Sequence, residues 1–384
     1  MHKSRAEMWS DMKKLLNYPF LIIMGILILG ISFINLIKKD TEFSEMENRY
    51  LAQKPNLTLG NVLDSSFGTQ YETYVNEQFP FRNQWITGKA IAETLLGKQE
   101  NNGVIKGKNG YLFPKQFDSE KQLKKNVNAI KDFGKNAGAK TYVTIVPNSY
   151  AILQDYLPMG APNIDQEALI SQCYQTFGQE ENIINIDIEN ILLEHKEEYI
   201  YYRTDHHWTT LGAYYGYLQF CNALELAPVD IDKLTANSID NFTGTYDAKY
   251  KGIGIKPDTI TYYSVPIEKM VLGEEEKSSL YDLEKTKIRD KYAMFLHGNH
   301  PLGVIYTKEN EHNQGKKLLL LKDSYANSMI PFLTYNYQEI YVVDLRYYTD
   351  SIGKLVEDNG IQTIFLLYNF DTLMTDNHLY RLSR

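Results

Sequence analysis

The decapeptide Tyr201–Thr210, YYRTDHHWTT, sets Asp205, His206, His207 and Trp208 side by side. A carboxylate two residues before an imidazole can bond its Nδ1, fix the tautomer and leave Nε2 free to take a proton. Such a pair needs a nucleophile from another part of the chain. Ser324 is the best candidate, in LLLLKDSYANS, where a buried apolar strand turns into a helix. A serine there stands at a sheet edge. The first helical N–H groups, those of Tyr325 or Ala326, are candidate donors to an oxyanion. Taken alone, Asp323 or Ser324 reads equally well as an N-cap. Asp205, His206 and His207 are also metal-ligand types. Adjacent histidines rarely both point inward, and only His297 and His300, in HGNH, could complete a site, so the expectation is no metal, with a metal site as the minor alternative.

These two segments need a frame that brings them together. Lys317–Leu321, a helix running to about Thr334, Glu339–Leu345, Ser351–Asp358 and Thr363–Leu367 read as βαβαβ. Upstream, Asp118–Ala137 and Gln166–Phe177 read as helices, and Lys140–Val146 and Ile183–Ile188 as strands. Ligands gather at the strand ends of such sheets. By location, Asn148, Asn327 and Arg346 are therefore candidate supporting residues, although each also suits an ordinary turn. Tyr199–Tyr202 reads as an extended lead-in and Thr209–Leu224 as a helix, which puts the Asp-His segment in a loop entering a helix. Gly103–Phe113 is a hairpin signal. Residues 228–315, rich in Gly, Lys and Glu, read as an irregular β-rich insertion packed against the sheet, either a substrate-facing cap or a tolerated insertion.

Leu15–Ile37 is an uncharged apolar run long enough to cross a bilayer. Lys3, Arg5, Lys13 and Lys14 precede it; Lys38 and Lys39 follow, and then acidic residues. The basic excess predicts a cytoplasmic tail over 1–14, an uncleaved signal-anchor over 15–37 and an extracytoplasmic remainder. A cleaved signal peptide is the alternative. Residues 40–60 read as a polar stalk and 61–384 as the working domain, its helical start broken by FPFRNQW. The net charge of -8, with no basic cluster beyond the N-terminus, argues against nucleic acid. Thirty tyrosines are many for 384 residues, and suit surfaces that meet sugars or the membrane boundary. Cys173 and Cys221 are too few for a disulfide framework, and no zinc spacing exists.

TDHHWT, followed by KDSYANS and preceded by VIKGKNGYLF and VTIVPNS, resembles the DHHW family, which is related to AlgX/AlgJ-type polysaccharide O-acetyltransferases of the SGNH-hydrolase-like superfamily. The likeness spans roughly residues 43–370. It implies a three-layer α/β/α fold with a mostly parallel sheet, in which the Asp-His pair precedes the serine in the chain. It also implies Ser324 as nucleophile, His207 as base, Asp205 as its orienter and Trp208 in support, with no cofactor. The polysaccharide acceptor, the membrane-bound O-acyltransferase partner and the transfer of acetyl groups through an acetyl-serine are implied in the same way. Lys322 stands where many SGNH enzymes carry Gly. A polysaccharide esterase with the same triad, and an anchored scaffold or sugar-binding subunit with a degenerate site, are the rival readings. The acceptor stays open among cellulose, a secondary wall polymer and peptidoglycan.

Overall fold

A computed structural model describes residues 18–383, apart from 45, 48 and 116–118 and residue 266. The expected tail over 1–14, the start of the apolar run at Leu15 and the start of the helix at Asp118 lie outside these. The described residues form two compact units, one ending at Lys89 and one beginning at Ala90.

The first unit opens with helix α1, Pro19–Ile37. It is 19 residues long with a mean hydropathy of 2.7, and none of it is buried. Proline sits in its first turn, where its missing N–H costs nothing. Within the stretch read as a stalk, Phe43–Ser44 pairs antiparallel with Arg49–Tyr50. The side chain of Gln78 bonds the backbone of both Thr41 and Ala52, and Arg49 joins Glu47 to Glu77. Helices Leu59–Leu63 and Ser66–Glu77 follow; after the Phe79–Phe81 break a third, Arg82–Leu95, begins in this unit and runs past Lys89.

The second unit is built on eight strands. In chain order, α2 (Glu120–Asn136) leads to β1 (Lys140–Val146), and α3 (Gln166–Phe177) to β2 (Ile183–Asn185). Helix α4 is Thr210–Ala223. Strands β3 (Ile267–Leu272), β4 (Glu275–Lys277), β5 (Leu302–Thr307), β6 (Lys317–Lys322) and β7 (Glu339–Val343) come next, then α5 (Ile352–Asn359) and β8 (Thr363–Asn369). Their spatial order is β4-β3-β5-β7-β6-β8-β1-β2. From β7 to β2 every pairing is parallel; β3, β4 and β5 continue the sheet antiparallel.

Strand β6 lies near the middle, between β7 and β8, and its four leucines are all fully buried. Leu318 and Leu320 enter one core with Tyr217 and Phe220 of α4; Leu319 and Leu321 enter another with residues of α2, α3 and α5. An unbroken apolar run is what a strand covered on both faces requires, and each buried leucine contributes about 1.5–3 kcal/mol. The result is the three-layer, mostly parallel α/β/α arrangement that the resemblance implies.

Residues 228–315 differ from the reading as an insertion against the sheet, because β3, β4 and β5 are part of the sheet. Strand β5 alternates buried and half-buried residues, as suits a strand less evenly covered than β6. The rest of the segment includes a ribbon, Ala236–Phe242 with Asp258–Tyr263, and a short helix, Thr245–Tyr250. After Ser324 the expected single helix is split into a 3₁₀ turn, Ser324–Ser328, and one α-turn, Ile330–Leu333. Pro331 has no N–H to donate to the carbonyl four residues back, so a continuous helix cannot form there. The Lys-Asn-Gly hairpin holds, with β-pairing of Val104–Lys106 to Leu112–Pro114 and Asn109 at φ 58°.

Candidate functional site

The TDHHWT loop is closed at its base. Tyr201 bridges to Trp208, the Tyr202 N–H donates to the His207 carbonyl, and the Thr209 N–H donates to that of Ile200. Thr209 caps α4 by accepting from the Gly212 N–H. Trp208 is fully buried and donates its Nε1–H to the carbonyl of Tyr325 at 2.8 Å. That bond ties the loop to the turn carrying Ser324, 117 residues downstream.

Across this junction the three side chains meet. His207 Nδ1 lies 2.5 Å from Asp205 Oδ1, and His207 Nε2 lies 2.7 Å from Ser324 Oγ. Asp205 Oδ1 also accepts the His207 backbone N–H, while Oδ2 accepts the N–H and hydroxyl of Thr245. Burial works against the Asp205 charge, but His206 and His207 outweigh it and hold the carboxyl well below its usual range. Burial, helped by His206, pushes His207 down to about 4 against the pull of Asp205. The imidazole is therefore neutral at pH 7, as a proton acceptor must be.

His206 turns the other way. It is part-exposed, its Nδ1 meets Thr245 Oγ1 at 2.8 Å, and Asp205 raises its pKa despite burial. Asp205, His206 and His207 each place one ligand-type atom within 4.8 Å of the others. Both ring nitrogens of His207 are hydrogen-bonded, one to Asp205 and one to Ser324. His297 Nε2 meets the Ser279 carbonyl and His300 Nε2 that of His297.

Tyr325 supports the loop, its hydroxyl donating to the His206 carbonyl. Its backbone N–H donates to Asp323 Oδ1 at 2.9 Å, so it is committed rather than aimed at an oxyanion. Asp323 is the cap of the turn, and its other oxygen accepts the Asn369 N–H at the end of β8. Asn369 bonds Asn148, which in turn donates to Asp371 at 2.6 Å. Asn148 thus reaches the same sheet edge, but its amide is consumed in bracing the ends of β1 and β8. Asn327 accepts from Lys322 Nζ at 2.8 Å, and Arg346 grips Asp344 through two bonds. Both belong to a polar cluster around Lys322, whose ammonium burial pushes down to about 8. Neither hydrogen-bonds Ser324 or His207.

Three contributors escaped the sequence reading. The Tyr292 ring stacks on His207 at 3.8 Å and 11°, and its hydroxyl donates to the Ser324 carbonyl at 3.0 Å. Thr245 supplies two of the bonds that hold Asp205. Asp258, buried, accepts the N–H groups of Arg203 and Thr204 and so fixes the approach to Asp205. All three come from residues 228–315, whose irregular pattern carries no spacing signal, and Tyr292 is one tyrosine among thirty. Gly244, just before Thr245, must lack a side chain: a Cβ there would sit 2.2 Å from Asp205 Cβ and Oδ2. Gly244→Ala is expected to cost about 1–3 kcal/mol of stability through overpacking. It should also lower turnover about 10²-fold by shifting Asp205. Urea unfolding and steady-state rates measured on the same preparation check both.

A serine, a histidine and an aspartate thus stand in line at the edge of a mostly parallel sheet. The DHHW family model, described as "DHHW protein", matches residues 120–343, more than half of the chain, and the chain belongs to that family. A DHHW family protein from Eubacterium siraeum superposes with a TM-score of 0.62 at 26% identity, covering 74% of this chain and 96% of that one. PatB1 of Bacillus cereus, solved with a sulfonyl adduct, superposes with a TM-score of 0.59 at 17% identity, covering 73% and 97%. In sequence, the chain is similar to a probable alginate O-acetylase AlgJ of Pseudomonas aeruginosa, 24% identical over 217 residues, 54% of this chain and 51% of that protein. The AlgJ of Pseudomonas syringae is 23% identical over 164 residues, covering 40% and 41%. The chain thus spans about half or less of the length of these relatives.

Proposed function

We propose that this protein is a membrane-anchored, extracytoplasmic O-acetyltransferase that acetylates hydroxyls of a cell-surface or exported polysaccharide. The observation that carries the reading is the relay of 2.5 and 2.7 Å from Asp205 through His207 to Ser324. Relatives named as alginate O-acetylases supply the reaction class. His207 Nε2 takes the Ser324 Oγ proton as Oγ attacks the acetyl carbonyl of the donor. The proton then passes to the departing donor group, leaving an acetyl-serine. A glycan hydroxyl next gives its proton to His207 and attacks the acetyl carbon; His207 returns that proton to the departing Ser324 Oγ, which leaves the glycan ester and the free serine. Helix α1 serves as the anchor, with 15–37 spanning the bilayer, 40–60 leading from it and 61–384 doing the work outside. A membrane-bound O-acyltransferase would bring acetyl groups across.

The test is turnover of an activated acetyl ester by the full chain, with and without glycan acceptors such as cellulose oligomers or peptidoglycan fragments. Acetylated glycan appearing at the expense of free acetate supports transfer. Hydrolysis that no acceptor diverts would assign an esterase, and no turnover at all would assign a scaffold.

The pH dependence follows from His207. Its folded pKa lies below the ordinary histidine value of about 6.5, so the base stays neutral as pH falls through that value. The kcat/KM for the ester is expected to hold level from pH 7 to about 5, then to fall about tenfold per pH unit below 4. A fall centred near 6.5 would contradict burial as the controlling influence.

A further inference from the structure

The N-terminal unit exposes apolar side chains on every piece that follows α1. Leu59, Val62 and Leu63, on one face of their helix, are 83, 53 and 81% exposed; Phe79, Phe81 and Trp85 are 37, 53 and 55% exposed. Soluble surfaces carry such residues singly. Phe81 is held at φ 57°, a backbone region that bulky residues seldom enter. Its ring stays half in the open, so burial within the chain offsets little of that strain.

The position of this break relative to α1 says what that contact is. Phe79, Phe81 and Arg82 line a groove of about 610 Å³ together with Ile34 and Lys38 of α1. Ile34 lies three residues before the helix end, about 4.5 Å along the axis. The level is fixed: Lys38 Nζ donates to the Gln78 carbonyl at 3.1 Å, and the Thr41 N–H to Gln78 Oε1 at 2.9 Å. On the remaining sides of the same helical turn, Phe33, Leu36 and Ile37 are 63, 84 and 67% exposed and need an apolar medium. Whatever surrounds them also meets Phe79 and Phe81. Lys38 and Lys39 stand where headgroup phosphates would lie.

We propose that the Phe79–Trp85 segment is a lipid-binding element. It inserts its aromatic rings into the interfacial zone of the bilayer beside α1 and gives the juxtamembrane unit a second hold on the lipid. The Trp85 indole, apolar in body with an N–H at its edge, suits that zone, and Phe79 and Phe81 add apolar area to it. The proposal rests on α1 as the anchor.

The test uses the full chain in nanodiscs of zwitterionic and anionic phospholipid, with one nitroxide label at a time. Phe81→Cys is the probe, Leu29→Cys reports on α1 and Tyr347→Cys on open surface. The native thiols, Cys173 and Cys221, are buried. A label at 81 is expected to relax more with oxygen than with a water-soluble nickel chelate, while a label at 347 does the reverse. If 81 behaves like 347 while 29 reports lipid, the proposal fails and the anchor stands. If 29 also reports water, the anchor fails with it. A label at 81 shielded from both reagents would mean that a protein covers the segment, which overturns the proposal as well.

Discussion

Ser324→Ala is expected to lower acetyl-ester turnover roughly 10⁴–10⁶-fold, the range for removal of a nucleophile from a serine relay. The substitution deletes one oxygen whose bond runs to His207 Nε2 at 2.7 Å. The turn that carries it is held by other groups: the cap at Asp323, the Trp208 bond to the Tyr325 carbonyl and the Tyr292 bond to the Ser324 carbonyl. Stability should therefore change by no more than about 1 kcal/mol. Thermal melts alongside steady-state rates separate the two effects. A variant that keeps the wild-type rate would remove Ser324 from the reaction and, with it, the acetyl-serine route.

Asp205→Asn is expected to cost about 10⁴-fold in kcat with KM little changed, because an amide cannot hold the imidazole in the required tautomer. Asp205 accepts four bonds in all, two at each oxygen. An amide nitrogen at either position would face an N–H donor, leaving a buried donor unpaired or turning the His207 ring. The loss should not add to that of Ser324→Ala: when the nucleophile is gone, the orienting carboxylate has nothing left to activate. A double variant about as slow as Ser324→Ala alone is the expected result. A double variant slower by the full product of the two losses would show that Asp205 acts outside the relay. Asp205 is also a buried anion in a bonded network, so folding is checked by urea unfolding before the rates are compared.

Much of the frame was legible because it rests on local physics. An unbroken run such as Lys317–Leu321 demands cover on both faces, and Lys140–Val146 and Gln166–Phe177 hold to the residue. The Asp-x-His spacing was legible for the same reason: a carboxylate two residues away reaches Nδ1 within one turn of the chain. The split after Ser324 was also present in the sequence, as Pro331, though only its effect on the turn shows that the oxyanion donors cannot be those of a long helix.

Local sequence therefore settled the parallel strands β1, β2, β6, β7 and β8, the apolar helix and the pairing of Asp205 with His207, each a matter of neighbours within a few residues, but not β3, β4 and β5. The tertiary structure decided the rest. It brought Ser324 to His207 across 117 positions, placed Tyr292 and Thr245 around them, and turned Asn148, Asn327 and Arg346 to bracing rather than to the serine. Such contacts depend on which strand ends share a sheet edge and on which donors are already spent. Both follow from the closing of the whole sheet, which no local spacing records.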